Sequence, residues 1–356
     1  MRKKYIIMAG VITTAIIGSL LLIYYLLQPR FTAVHLGKAS FHATNLMQDS
    51  ASVALAAWDG CLYMQGEELA KTITGASKYG KALLRLTEDG SLDRVTSSDS
   101  RLGRLIGADD SDFYFWNRTS GAVSLFDINT KSQEVLCSAK GSLGQVFAMD
   151  DRTVYFPQGF GTSISYQAVR DSDSIETVSE LPALASGVCL FRVQPSLQMG
   201  TTVERIRPDG TVSDIGLSYA KSRLLIPWED DILIYSPGTG KMLSMIRSDG
   251  TVMTVFSVPA METKSCFQLC GDYAYLSFLR YKGYDDYGIG LKRYENDELE
   301  GLYRIHLKTL TIEKCSNDIY DGLYNFDDTC LFACDENSNV FQLDLSGNII
   351  QTVVKH

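Results

Sequence analysis

The residues of this 356-residue chain that could carry chemistry are eight cysteines, four histidines and several acidic clusters. The cysteines are Cys61, Cys137, Cys189, Cys266, Cys270, Cys315, Cys330 and Cys334, with no C-x-x-C pair among them. Cys266/Cys270 and Cys330/Cys334 stand four apart, which on strands puts both side chains of a pair on one face. That spacing suits a bridge within a strand poorly and buried thiols acting as small hydrophobes well. A bridge between neighbouring strands, such as Cys315 with Cys266 or Cys270, stays open. A zinc site needs several convergent ligands, yet His35 and His42 lie near the N-terminal run, His356 is the last residue, and only His306 remains. Asp109-Asp110-Ser111-Asp112, Asp171-Ser172-Asp173, Glu229-Asp230-Asp231, Asp285-Asp286 and Asp327-Asp328 lack the Gly and terminal Glu of a calcium loop. They fit turns, where Asp bends and caps the chain. No G-x-S-x-G elbow, H-E-x-x-H helix or P-loop occurs, so the sequence names no catalytic residue, metal ligand or cofactor. Asn117-Arg118-Thr119 is a formal glycosylation sequon, meaningful only in a secretory-pathway host. The net charge of −9 argues against nucleic acid as a partner, because phosphate binding needs clustered Lys and Arg.

One segment concentrates the chemistry of binding. Residues 280–298, RYKGYDDYGIGLKRYENDE, combine four tyrosines with mixed charge. Tyrosine offers large contact area at low entropic cost, and long loops in compact domains are often functional. The candidate binding residues are Tyr281, Tyr284, Asp285, Asp286, Tyr287, Lys292, Arg293 and Tyr294. Against this stands a merely tolerated surface insertion, since extra loop length costs little.

The elements that must position this segment follow from a repeat. ALLRLTEDGSLDRV (82–95), TVERIRPDGTVSDI (202–215) and MLSMIRSDGTVMTV (242–255) each read as strand, Asp-Gly turn, strand. Weaker copies fall at 124–136, 166–178, 302–315 and 340–353. Asp-Gly between apolar runs is a strong hairpin signal, because Gly adopts positive φ without strain. Each copy is preceded by an apolar, aromatic strand pair, as in Asp112-Phe113-Tyr114-Phe115 or Asp231-Ile232-Leu233-Ile234-Tyr235. Successive copies step by about 40 residues, except one step of about 59 that contains 280–298. Four short strands per ~40–45 residues is the blade period of a propeller, and a lone blade cannot bury both faces, so copies must stack into a ring. The expectation is an all-β fold: a β-propeller of seven four-stranded blades over residues 50–356, with the insertion between the second and third strands of the sixth. Six or eight blades, or two sandwiches, are the alternatives.

The quoted residues resemble degenerate bacterial propellers built on "D-x-x-Y-F … L-Y-R-I-D … D-G" blades, TolB-like in pattern. The resemblance covers about residues 50–354 and implies an uncharacterised extracytoplasmic propeller, saying almost nothing about activity. Trp58-Asp59 lacks the Gly-His partner of WD40 blades, and neither a kelch Gly-Gly nor a sialidase Asp-box spacing is present.

The N-terminus sets location. Arg2, Lys3 and Lys4 precede an uncharged run from Tyr5 to Leu27. As a helix this run would be about 34 Å long, enough for a bilayer core of about 30 Å. Basic residues keep the short 1–4 stub cytoplasmic, Tyr24 and Tyr25 fall near the far interface, and Pro29 stops the helix. A cleaved signal peptide is the rival, but the apolar core is longer than the 7–15 residues typical of one. Tyr5, Leu20 and Leu27 mark the anchor, and residues 28–49 read as a stalk or a ring-closing segment. The functional expectation is a single-pass, membrane-anchored, extracytoplasmic binding or scaffold module for a protein or an envelope polysaccharide. The alternatives are a glycan hydrolase or lyase with its site in the central funnel, and a sensor that signals through a partner helix.

Overall fold

The structure is a computed structural model. It describes residues 16–20, 30–31, 34, 51–66, 82–87, 89–97, 102–117, 120, 122–138, 147–148, 154–160, 163–171, 174–178, 184–186, 189–196, 200–214, 224–236, 238, 240–260, 262–284, 291–294 and 297–355. The described residues are overwhelmingly strand, and the strands form seven antiparallel sheets in chain order, each a meander of four successive segments. The second sheet runs Arg104–Asp109, Asp112–Asn117, Ala122–Asp127 and Ser132–Ser138. The sixth runs Glu262–Cys270, Tyr273–Tyr284, Gly301–His306 and Thr311–Ser316, with Leu291–Arg293 paired onto the long second strand. The seventh runs Gly322–Asn325, Leu331–Cys334, Val340–Leu343 and Ile349–Lys355, and takes Arg30–Phe31 as a fifth strand on its outer edge.

First strands pack beside first strands. Val53–Trp58 lies against Arg104–Asp109 of the second sheet and against Gly322–Asn325 of the seventh, which also contacts Glu262–Cys270. The first and last sheets are therefore neighbours. The meander fixes what shares an end: connections after first and third strands lie at one end of each sheet, and connections after second strands, with the passages between sheets, lie at the other.

The strand patterns explain the stacking. In Tyr273–Tyr284, Ala274, Leu276 and Phe278 are fully buried in the core shared with the fifth sheet. Tyr275, on the opposite face, is buried with Leu323 and Leu331 of the seventh. A strand apolar on both faces needs a sheet on either side, which favours stacking over a single two-layer sandwich. In the Asp-Gly hairpins the glycine takes positive φ: Gly90 at 83°, Gly210 at 80° and Gly250 at 79°. The preceding Asp accepts the backbone N–H two residues on, from Ser91 (2.9 Å), Thr211 (2.8 Å) and Thr251 (2.8 Å). These bonds hold Asp89 low, at about 2, through Thr87 and Ser91, and lower Asp209 and Asp249 through Thr211 and Thr251. The acidic clusters at 109–112, 229–231 and 327–328 form tight turns as well, with Asp110, Glu229 and Asp328 at positive φ.

No described helix is long and apolar enough to cross a membrane. Residues 16–20 are helical and Leu20 is exposed. Tyr5, Leu27 and most of the expected anchor lie outside the described residues.

Candidate functional site

The second strand of the sixth sheet is buried as far as Arg280 and then leaves the body: Phe278 is fully buried and Arg280 is 6% exposed, whereas Lys282 is exposed. Pairing with the first strand stops at Tyr281, opposite Glu262. Beyond it the chain continues as a two-stranded hairpin, Tyr281 opposite Arg293, Gly283 opposite Lys292 and Tyr284 opposite Leu291. The sequence shows the extra residues as loop, yet they begin as an extension of an existing strand.

The hairpin stands on two ion pairs. Arg280 donates from Nε and Nη2 to the two Asp297 oxygens at 2.6 and 2.7 Å, with the side chains 7% and 5% exposed. It also donates to the Pro259 carbonyl, and its guanidinium lies 4.5 Å from the centre of the Tyr294 ring, within cation–π range. The hydrogen bond from Arg280 is the chief cause that holds the Asp297 carboxyl below the usual range. Glu300, 5% exposed, accepts the Arg280 backbone N–H at 2.7 Å and pairs with Arg293 at 2.6 Å. That pairing raises the Arg293 guanidinium further above its ordinary value. Gly301 follows with φ at 139°, and a Cβ there would run into the Ser316 carbonyl, so only glycine lets the third strand start beneath this network.

Between the hairpin base and the connection to the seventh sheet lies an open cleft of about 540 Å³. Arg293, Tyr294, Glu298 and Glu300 line one side, Asn317 and Ile319 the other. The structure brings Tyr281, Lys292, Arg293 and Tyr294 to the hairpin and its base. Tyr284 closes the described part of the first hairpin strand, and Asp285, Asp286 and Tyr287 lie outside the described residues. Arg280, Asp297 and Glu300 form the support, which residue spacing alone does not reveal; an Arg at the start and two acids at the end of a tyrosine-rich insertion are the signal that the sequence carries.

Among the described residues the cysteines give no second site. Cys266, Cys270, Cys330 and Cys334 are buried thiols, and burial pushes Cys270 up to about 12. A bridge from Cys315 to Cys266 or Cys270 is ruled out by sheet order. Cys315 sits on the fourth strand and the other two on the first, three strand spacings or about 14 Å apart, against the 4.4–6.8 Å a disulfide needs. Among the described residues no group of three or more His, Cys, Asp or Glu could hold a metal.

No family model and no curated protein matches the chain. Among solved structures it is similar to a prolyl endopeptidase, at 11% identity and a TM-score of 0.52, over 88% of this chain and 51% of that one. It is also similar to an acylaminoacyl peptidase of Pyrococcus horikoshii (11%, TM-score 0.49, 88% of this chain and 54% of that chain). BamB from Moraxella catarrhalis is a third (13%, TM-score 0.43, 91% and 92%). The chain spans about half the length of the two peptidases. The first likeness, with the seven meandering sheets, defines a β-propeller fold; at such identity it defines nothing more.

Proposed function

We propose that this protein is a membrane-anchored, seven-bladed β-propeller outside the cytoplasm that binds a protein or an envelope polymer at the sixth-blade insertion. The anchor and the location rest on the basic Arg2-Lys3-Lys4 stretch and the uncharged run Tyr5–Leu27. The kinship with TolB-like repeats rests on residue pattern alone. The binding role rests on one observation: the insertion is built onto the buried Arg280–Asp297 pair and the half-exposed Arg293–Glu300 pair, and flanks an open cleft. A merely tolerated loop needs no such base, whereas a rigid support lowers the ordering cost of binding.

The test is in-cell cross-linking with mass spectrometry on the full chain, beside a variant with residues 282–292 replaced by a short Gly-Ser turn. That replacement leaves Arg280, Arg293, Asp297 and Glu300 in place, so the cleft base survives. A specific partner should cross-link to the native chain and be lost from the variant. An unchanged set of partners, or none, would overturn the binding role.

A further inference from the structure

We propose that the end of the propeller bearing the insertion faces the bilayer, and that the insertion hairpin reaches the membrane surface. The inference rests on the anchored-module reading above. Arg30 pairs opposite Lys355 and Phe31 opposite Val354. Ile349–Lys355 is a fourth strand, so Lys355 stands at the end where second-to-third connections lie. Arg30 stands there too, so that end is where the residues before it attach. The segment is fixed to the body: Val34, 1% exposed, packs with Val53, Val353 and Val354 between the first and seventh sheets.

Only Gln28 and Pro29 separate Arg30 from Leu27, the last residue of the apolar run. That link covers at most about 10 Å at ~3.3–3.6 Å per residue. The insertion leaves the same end, because it joins a second strand to a third, and it does so in the adjacent sixth sheet. Past Tyr281 its first strand adds Lys282, Gly283 and Tyr284, about 10 Å at ~3.3 Å per residue. The attachment point of the tether and the hairpin therefore lie at one end of neighbouring sheets, and the greatest span of the link matches the described length of the hairpin. A bilayer surface set by the tether lies at the reach of the hairpin, whose sequence beyond the base carries Tyr284 and Tyr287, a residue type that suits the interface. The cleft at the hairpin base then opens toward the membrane, and what occupies it approaches from that side.

The experiment places a fluorescent amino acid at Lys282 or, in a second variant, at Ser248, an exposed turn residue at the opposite end. The full chain is reconstituted into phosphatidylcholine vesicles carrying an acceptor dye on a headgroup. Flotation comes first: a chain that does not float with the vesicles overturns the anchor reading and this inference with it. In floated samples, transfer from position 282 should exceed transfer from 248 by about twofold or more, the two ends standing at least ~20 Å apart. Equal or stronger transfer from 248 overturns the orientation and leaves the anchor standing. A twenty-residue Gly-Ser spacer between Pro29 and Arg30, with a mean span of about 25 Å, should abolish the difference. A difference that survives the spacer refutes the tether as its cause.

Discussion

Replacing Asp297 with alanine should release the insertion while leaving the sheets beneath it folded. The carboxylate holds both ends of the Arg280 fork at 2.6 and 2.7 Å, in a place where the two side chains are 7% and 5% exposed. Without it a buried guanidinium keeps, among the described residues, the Pro259 carbonyl and the Tyr294 ring as close partners of its side chain. Breaking a buried pair from one side costs about 3–5 kcal/mol. The surviving contacts put this case near the lower figure, about 100-fold in the local opening equilibrium. Hydrogen exchange at pH 7 should show about that acceleration in peptides covering 280–294, and little change in peptides covering 322–334. The double variant Arg280→Met/Asp297→Leu should recover protection, since it leaves no unpaired charge. Exchange within about threefold of the native chain, or equal acceleration in both regions, would refute the clamp.

Three further substitutions test the frame, each read as a shift in the urea midpoint. Gly301→Ala sets a Cβ against the Ser316 carbonyl at a φ of 139° and should destabilise by about 2–4 kcal/mol. Phe267→Ala removes a fully buried ring stacked 5.0 Å from Tyr235 between the fifth and sixth sheets, and should cost about 3–5 kcal/mol. Tyr324→Phe deletes a buried hydroxyl that donates to the Val53 carbonyl at 2.9 Å across the seam of first and last sheets, for about 1–2 kcal/mol.

What the sequence made legible is what depends on neighbours in the chain. The turns at Gly90, Gly210 and Gly250 need a positive φ and a preceding Asp within the loop itself, so three residues announce them. The copy around Ser172 is weaker to the eye, and its hairpin carries a register shift between Val169 and Asp171. The insertion was visible as a broken step, but not its construction. Arg280 and Asp297 are 17 residues apart and meet only because the hairpin returns the chain to its starting point. The Cys315 pairing failed for the same reason: proximity across a sheet depends on strand order, and spacing along the chain does not encode it.

Closure of the ring depends on contacts more distant still, and its electrostatics oppose those of the insertion. Asp321, just before the first strand of the seventh sheet, accepts the Ser52 backbone N–H at 3.0 Å and the Ser52 hydroxyl at 3.3 Å, bridging to the first sheet. Cys334 donates to it at 3.2 Å. Burial outweighs these donors and raises the Asp321 carboxyl above its ordinary value. The folded state therefore favours the protonated acid: its contribution is fully present below the unfolded value near 4 and is lost as pH rises through the raised one. Asp297 works in the opposite sense, because Arg280 depresses it. Its contribution is present above the unfolded value and is lost as pH falls through the depressed one. Acidification thus loosens the base of the insertion while favouring the seam between first and last sheets. Exchange in 280–294 should therefore open on acid titration before exchange at Val53 and Gly322–Asn325 does. The reverse order would mean that the donors from Ser52 and Cys334 outweigh burial, so that Asp321 holds the seam as the carboxylate.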